Sequence, residues 1–170
     1  MGDAITKGRF TAGFQGPVVV FVIGMRINRV LRVDKWLPVA KAMGPMLSEL
    51  SAAPDSGFLG AEPMLRNWRT IAVMQYWRDF DSLEAYARNR DQRHWPAWTA
   101  FNKSVGSSGT VGIFHETYSV TPGGYETIYA NMLLFGLGRI AGVVPATGSR
   151  QEARSRMRSD HARPIDDVAE

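Results

Sequence analysis

FLGAEPMLRNWRTIAVMQYW, residues 58–77, holds two extended segments joined by polar residues. The second segment alternates. Ile71, Val73, Gln75 and Trp77 fall on one face and Ala72, Met74 and Tyr76 on the other, the period of two that a strand imposes. The first segment runs from Phe58 to about Leu65, after the turn-forming Pro54-Asp55-Ser56-Gly57. Arg66-Asn67 is expected to reverse the chain into a strand starting at Trp68. The two should pair as a hairpin.

Outward from this hairpin the apolar period changes. Upstream, Trp36, Leu37, Ala40, Met43 and Leu47 recur at helical spacing behind Asp34, which is expected to cap the helix. Pro38 suits a first turn, whereas Gly44-Pro45 should kink or divide the helix. Before it, Pro17 to Asn28 reads as a buried strand, and its apolar run Val18 to Met25 is too short to span a bilayer.

Downstream, Phe80 to Arg90 reads as a helix with an Asp81…Glu84 capping box and a buried stripe of Leu83, Tyr86 and Ala87. After a break at Asn89-Arg90-Asp91, a further helix ends near Ser104. The loop Gly106-Ser107-Ser108-Gly109 leads into a strand from Thr110 to Val120.

The order β-α-β-β-α-β is the split βαβ pattern of ferredoxin-like α+β domains. Helices then cover one sheet face. The other, with Val22, Val73 and Phe114 or Ile113, needs a cover of its own, and a second copy packed face to face supplies one. The expectation is a ferredoxin-like dimeric α+β barrel with a C-terminal extension, acting as a homodimer. Its parts are an N-terminal arm (1–16), the barrel domain (17–147) and a polar tail (148–170). Within the extension, Tyr125 to Met132 reads as a further strand, and the glycine-rich Leu133 to Val144 as a packed extension more than a helix.

A chain of 170 residues, 45% hydrophobic and 21% charged, suits one globular domain. The absence of cysteine excludes disulfides, thiolate metal sites and cysteine nucleophiles. No signal peptide is read at the N-terminus, so a cytoplasmic protein is expected. The net charge of +4 is scattered, and the tail arginines are offset by Glu152, Asp160, Asp166, Asp167 and Glu170. No one-sign patch is visible in the sequence, so neither nucleic acid nor membrane is an expected partner. A small-molecule substrate is.

Histidine is scarce: His94, His115 and His161, the last in the polar tail. His94 shares a helical stripe with Ala97, Trp98 and Phe101. It is either a satisfied, partly buried histidine or an imidazole aimed into an aromatic pocket, as an axial haem ligand needs. His115 lies in the strand Ile113-Phe114-His115-Glu116-Thr117-Tyr118. If Phe114 faces the core, Glu116 is a buried carboxylate needing a partner such as Arg26 or Arg69. If Ile113 does, His115 becomes an acid–base candidate. Alternation leaves both open, and a surface histidine or a structural ion pair is a third reading. Trp77, Tyr86, Trp95, Trp98 and Phe101 form an aromatic set that serves as core or as pocket wall.

The segments FVIGMRIN, QYWRDFDSLEAYAR, HWPAWTAFN, VGIFHETY and YETIYANM…FGLG, spread over Val19 to Val144, resemble the monooxygenase family typified by the fumagillin-pathway enzyme of fungi. More distantly, Leu83-Glu84-Ala85-Tyr86-Ala87, His94, His115-Glu116 and Tyr129-Ala130-Asn131 follow the order found in the C-terminal half of haem-containing aldoxime dehydratases.

The second resemblance implies haem b held by His94, its metal ligand, with Trp98, Phe101, Trp77 and Tyr86 around the cofactor. His115 would act at the distal side with Glu116, and Asn28 matches the first-strand asparagine of haem-degrading relatives. Those dehydratases carry two such domains and a distal serine that has no counterpart here. Three functions are therefore expected: a haem-dependent monooxygenase or dehydratase-like enzyme of specialised metabolism; a cofactor-free monooxygenase oxidising a phenol or enol; or a non-catalytic ligand-binding dimer.

Overall fold

The hairpin at the centre of the sequence forms one half of a four-stranded sheet in a computed structural model of the chain. The structure describes residues 4–89 and 106–157 together with Trp95, Thr99, Phe101 and Lys103. Its elements are β1 (Thr6–Ala12), β2 (Val18–Ile27), α1 (Val33–Ser51), β3 (Phe58–Asn67), β4 (Thr70–Trp77) and α2 (Phe80–Arg88). They continue with β5 (Val111–Val120), β6 (Tyr129–Met132), α3 (Gly136–Ala141), β7 (Val143–Pro145) and α4 (Ala153–Arg156). The chain divides into two compact units, Val18–Ser119 and Met1–Pro17 with Val120–Glu170.

The first unit is the ferredoxin-like α+β fold. Its sheet runs β3-β4-β2-β5, so the last strand returns beside the first and the hairpin strand β4 lies between β2 and β3. β4 is antiparallel to both, with Ile23 opposite Val73 and Val22 opposite Met74. Directly opposed residues share a face. Val22 and Val73, both expected on the uncovered face, are therefore on different faces.

The covered face holds two core clusters. In one, Val19, Trp77 and Leu83 meet Leu50, with Phe21, Phe58 and Tyr86 against them. In the other, Met25, Ile27 and Val111 pack with Trp36, Val39, Ala40, Ile71 and Phe101. The odd-numbered side chains of β2 and β4 face the helices.

Several local expectations shift. The reversal between β3 and β4 falls at Trp68-Arg69, two residues late, because the Asn67 side chain accepts the Arg69 N–H (3.0 Å) and closes the turn there. α1 runs unbroken through Pro38 and Pro45, so Gly44-Pro45 does not divide it, and Asp34 is not its cap. Asp34 sits in the first turn and accepts two bonds from Arg32 at 2.9 Å. α2 is capped by Asp79, whose carboxylate accepts the Ser82 N–H at 2.7 Å; Asp81 is not the cap. Asp79 takes that role because its own backbone is extended (φ −156°, ψ 168°), the conformation a cap requires. Leu83 is buried as expected, and Ala87 is exposed.

In the second unit β1 pairs with β6 on one side and β7 on the other. The expected N-terminal arm thus contains a sheet's central strand, and Leu133 to Val144 includes the short helix α3. Tyr129 explains two features at once: its hydroxyl accepts the Gly138 N–H at 3.0 Å, and its ring lies where a Cβ on Gly138 would be, 2.7 Å away. The start of the expected polar tail is fastened by Arg156, whose guanidinium meets Glu126 at 2.7 Å and donates to the carbonyls of Arg150 and Gln151.

Candidate functional site

The face of β5 left open by the sequence is settled by its neighbours on β2. The His115 ring lies 5.6 Å from that of Phe21, tilted by 44°. Phe114 reaches the opposite side: its ring occupies the space a Cβ on Gly24 would take. Val111 packs in the helix-side core. His115 therefore projects on the helix-covered face, alongside Ile113 and Thr117. His115 is itself solvent-exposed.

Aromatic rings extend along this face. Trp77 is fully buried, and its indole N–H donates to Gln75 Oε1 at 3.0 Å. Its ring meets Phe58 edge-on at 5.4 Å and Tyr86 at 5.7 Å. Burial, with a smaller contribution from the charge of Glu49, pushes the Tyr86 hydroxyl up to about 12, so it stays a neutral phenol throughout the physiological range. Phe101 packs against the second core cluster. Trp77 is thus committed to the core, while Phe21 and His115 lie at the accessible part of the face.

The other expected site residues are not brought to His115. Glu116 projects on the opposite face, where it is exposed and accepts a short hydrogen bond from the Tyr118 hydroxyl. That bond to a carboxylate raises the Tyr118 pKa. Glu116 is therefore not a buried carboxylate, and neither Arg26 nor Arg69 is its hydrogen-bond partner. Arg26 donates to Thr70 Oγ1 at 3.3 Å, and Arg69 to the backbone carbonyls of Ile27 and Asn28. Asn28 follows the end of β2, where its side chain donates to the Gly109 carbonyl at 3.1 Å and holds the loop ahead of β5.

His94 and Trp98 lie outside the described residues. Among the described residues no group of three or more His, Asp or Glu side chains is arranged to hold a metal ion, and no helix is long and apolar enough to cross a membrane. Phe21 was not singled out in the sequence. Its odd parity with Val19 and Met25 would have marked it, had the pairing of β2 with β5 been known.

The fold of Val18–Ser119 defines the chain first as a ferredoxin-like α+β protein. Residues 18–137 match the family described as Monooxygenase af470-like, and the chain belongs to that family. It is 29% identical over 137 residues to monooxygenase af470 of Aspergillus fumigatus, covering 74% of this chain and 48% of that one. The chain thus spans about half the length of the curated relative it matches. Among solved structures, an aldoxime dehydratase superposes with a TM-score of 0.50 at 14% identity, over 92% of this chain and 45% of its own. SnoaB, a cofactor-independent oxygenase from Streptomyces nogalater, aligns with a TM-score of 0.43 at 13% identity, over 59% and 90%.

Proposed function

We propose that this protein is a monooxygenase for a small, electron-rich organic molecule bound on the helix-covered face, with His115 as its proton-transfer group. The observation that carries this reading is the placement of an exposed imidazole beside Phe21 on the aromatic side of the sheet. Membership of a monooxygenase family supports it. In the simplest chemistry, His115 takes a proton from an activated methylene or a phenol. The resulting anion gives an electron to dioxygen, the radicals recombine to a peroxide, and water is lost. One oxygen atom enters the product as a carbonyl, the other leaves as water, and the substrate supplies all four electrons. No outside reductant is required.

A second reading rests on the resemblance to haem-containing aldoxime dehydratases. Phe21, Phe101, Trp77 and Tyr86 lie on this face with one imidazole, which suits a porphyrin plane with an acid–base group beside it. His94 would hold the iron. Bound haem would supply oxygen or N–O activation, while His115 moves the proton and Phe21 and Phe101 exclude water.

An absorption spectrum of protein made with haem available separates the two. A Soret band lost in His94→Ala and kept in His115→Ala supports the haem reading. A colourless protein that consumes oxygen with a phenolic or activated-methylene substrate supports the first. In either, His115→Ala should slow turnover by about 100-fold or more, and unchanged turnover in that variant overturns the role given to His115.

The homodimer belongs to the same proposal. The uncovered face exposes Met64, Phe114 and Tyr118. Two copies facing each other would bury that surface. Phe114→Asp should therefore convert a dimer to a monomer in light scattering, and a monomeric wild type sinks the idea.

A further inference from the structure

One end of the four-stranded sheet carries a surface that the monooxygenase reading does not use. Three segments meet there: the turn after β2, the β3–β4 hairpin tip and the loop before β5. Backbone bonds tie them together. Ile27 N–H donates to the Arg69 carbonyl at 2.7 Å, and the N–H groups of Asn28 and Arg29 both donate to the Thr110 carbonyl. The Arg69 side chain adds bonds to the Ile27 and Asn28 carbonyls at 3.0 and 2.6 Å. This end is a built platform.

Its side chains combine two properties. Leu31 is 94% exposed, Leu65 69% and Trp68 68%, with Val33 also exposed. Folded domains rarely leave such large apolar groups so open at one end unless something covers them. Around them stand Arg29, Arg32, Lys35, Arg66 and Arg69, while residues 28–35, 65–70 and 106–111 supply a single carboxylate, Asp34, already bound to Arg32. The Arg69 guanidinium lies 5.4 Å from the centre of the Trp68 ring, steadying that indole at the tip.

We propose that this end of the sheet docks on an anionic lipid surface, with Leu31, Leu65 and Trp68 entering the interfacial zone and the arginines meeting lipid phosphates. The charge is complementary to such a surface, and tryptophan with aliphatic neighbours is the composition that headgroup regions reward. Nucleic acid would match the arginines but gain nothing from the exposed leucines. Docking here would bring the enzyme to a pool of apolar substrate dissolved in the bilayer. The surface is separate from the sheet face assigned to the dimer, so the two proposals fail independently.

The test is cosedimentation of the full chain with vesicles of phosphatidylcholine alone and of phosphatidylcholine mixed with phosphatidylglycerol. Binding is expected to the anionic vesicles only and to weaken with salt. Arg29→Ala and Arg66→Ala should each weaken it about fivefold. Leu31→Ser and Trp68→Ser, both at exposed positions, should weaken it further. Absence of wild-type binding overturns the proposal, as does binding that none of these variants changes. A Trp68→Ser variant altered only in molar mass by light scattering also overturns it, and assigns the patch to a second copy. So does tight oligonucleotide binding that Leu31→Ser leaves unchanged in a protein that ignores vesicles.

Discussion

The two faces of the four-stranded sheet come from the same alternating strands and end under different cover. On one, Val19, Met25, Ile27 and Trp77 are buried under helices supplied by the same chain. On the other, Phe114, Tyr118 and Met64 remain exposed, while Tyr76 and Glu62 are buried. Alternation decides which residues share a face, but only the connections between strands decide which face receives helices. The covered face holds both core clusters, and its accessible part offers an imidazole. The uncovered face is where association is expected.

The strongest way to break this contrast is at Trp77, the one fully buried indole among the described residues. Trp77→Ala should lower the free energy of unfolding by about 3–5 kcal/mol in urea titration. A loss comparable to that of a surface substitution would show that the covered face is not the core.

Gly24 sharpens the comparison from the other side. A methyl there would meet the Phe114 ring at 2.5 Å and the Ile71 carbonyl oxygen at 2.7 Å. The ring can rotate away, but the carbonyl belongs to the neighbouring strand. Gly24→Ala should cost about 1–3 kcal/mol. A neutral result would mean that the sheet is more pliable than this packing implies.

Smaller again is the cap of α2, the helix that brings Leu83 and Tyr86 to the covered face. Bonds from Arg78 and Ser82 hold the Asp79 carboxyl down at about 2 against an ordinary 3.8. Because the folded value is the lower one, the cap's contribution is complete above about pH 4 and fades as pH falls toward 2. Asp79→Ala should cost about 1 kcal/mol near neutrality and nothing at the acid end. Equal losses at both pH values would show that the carboxylate is not the source.

The smallest effect is expected on the solvent side of the same helix. Glu84 and Arg88 pair at 2.8 Å, one turn apart, with both side chains well exposed. Glu84→Ala should change stability by about 0.5 kcal/mol or less. A larger loss would reveal a role for Glu84 beyond this pair.

Much of the candidate site was legible in part. The residue types of the site, an imidazole among aromatics, could be read from the sequence, and so could the strand that carries His115. Whether His115 or Glu116 faced the helices could not, because one residue of register exchanges the faces and the deciding contacts come from Phe21 and Gly24, some 90 residues earlier. Asn28 carried a possible match to a catalytic asparagine, and its bond to Gly109 gives it a structural task at the loop before β5.

The sequence by itself determined the strands and helices from β2 to α2, the hairpin and the strand β5, because local alternation and turn chemistry are written in neighbouring residues. The end-of-sheet patch shows what only the tertiary structure decided. Arg29, Arg32, Arg66 and Arg69 are scattered charges along the chain, and no linear run announces them. Antiparallel pairing of β4 with β2 returns the hairpin tip to the turn after β2 and makes one surface of them. Charge and exposure are properties of a place in space, and strand pairing sets which distant residues share that place.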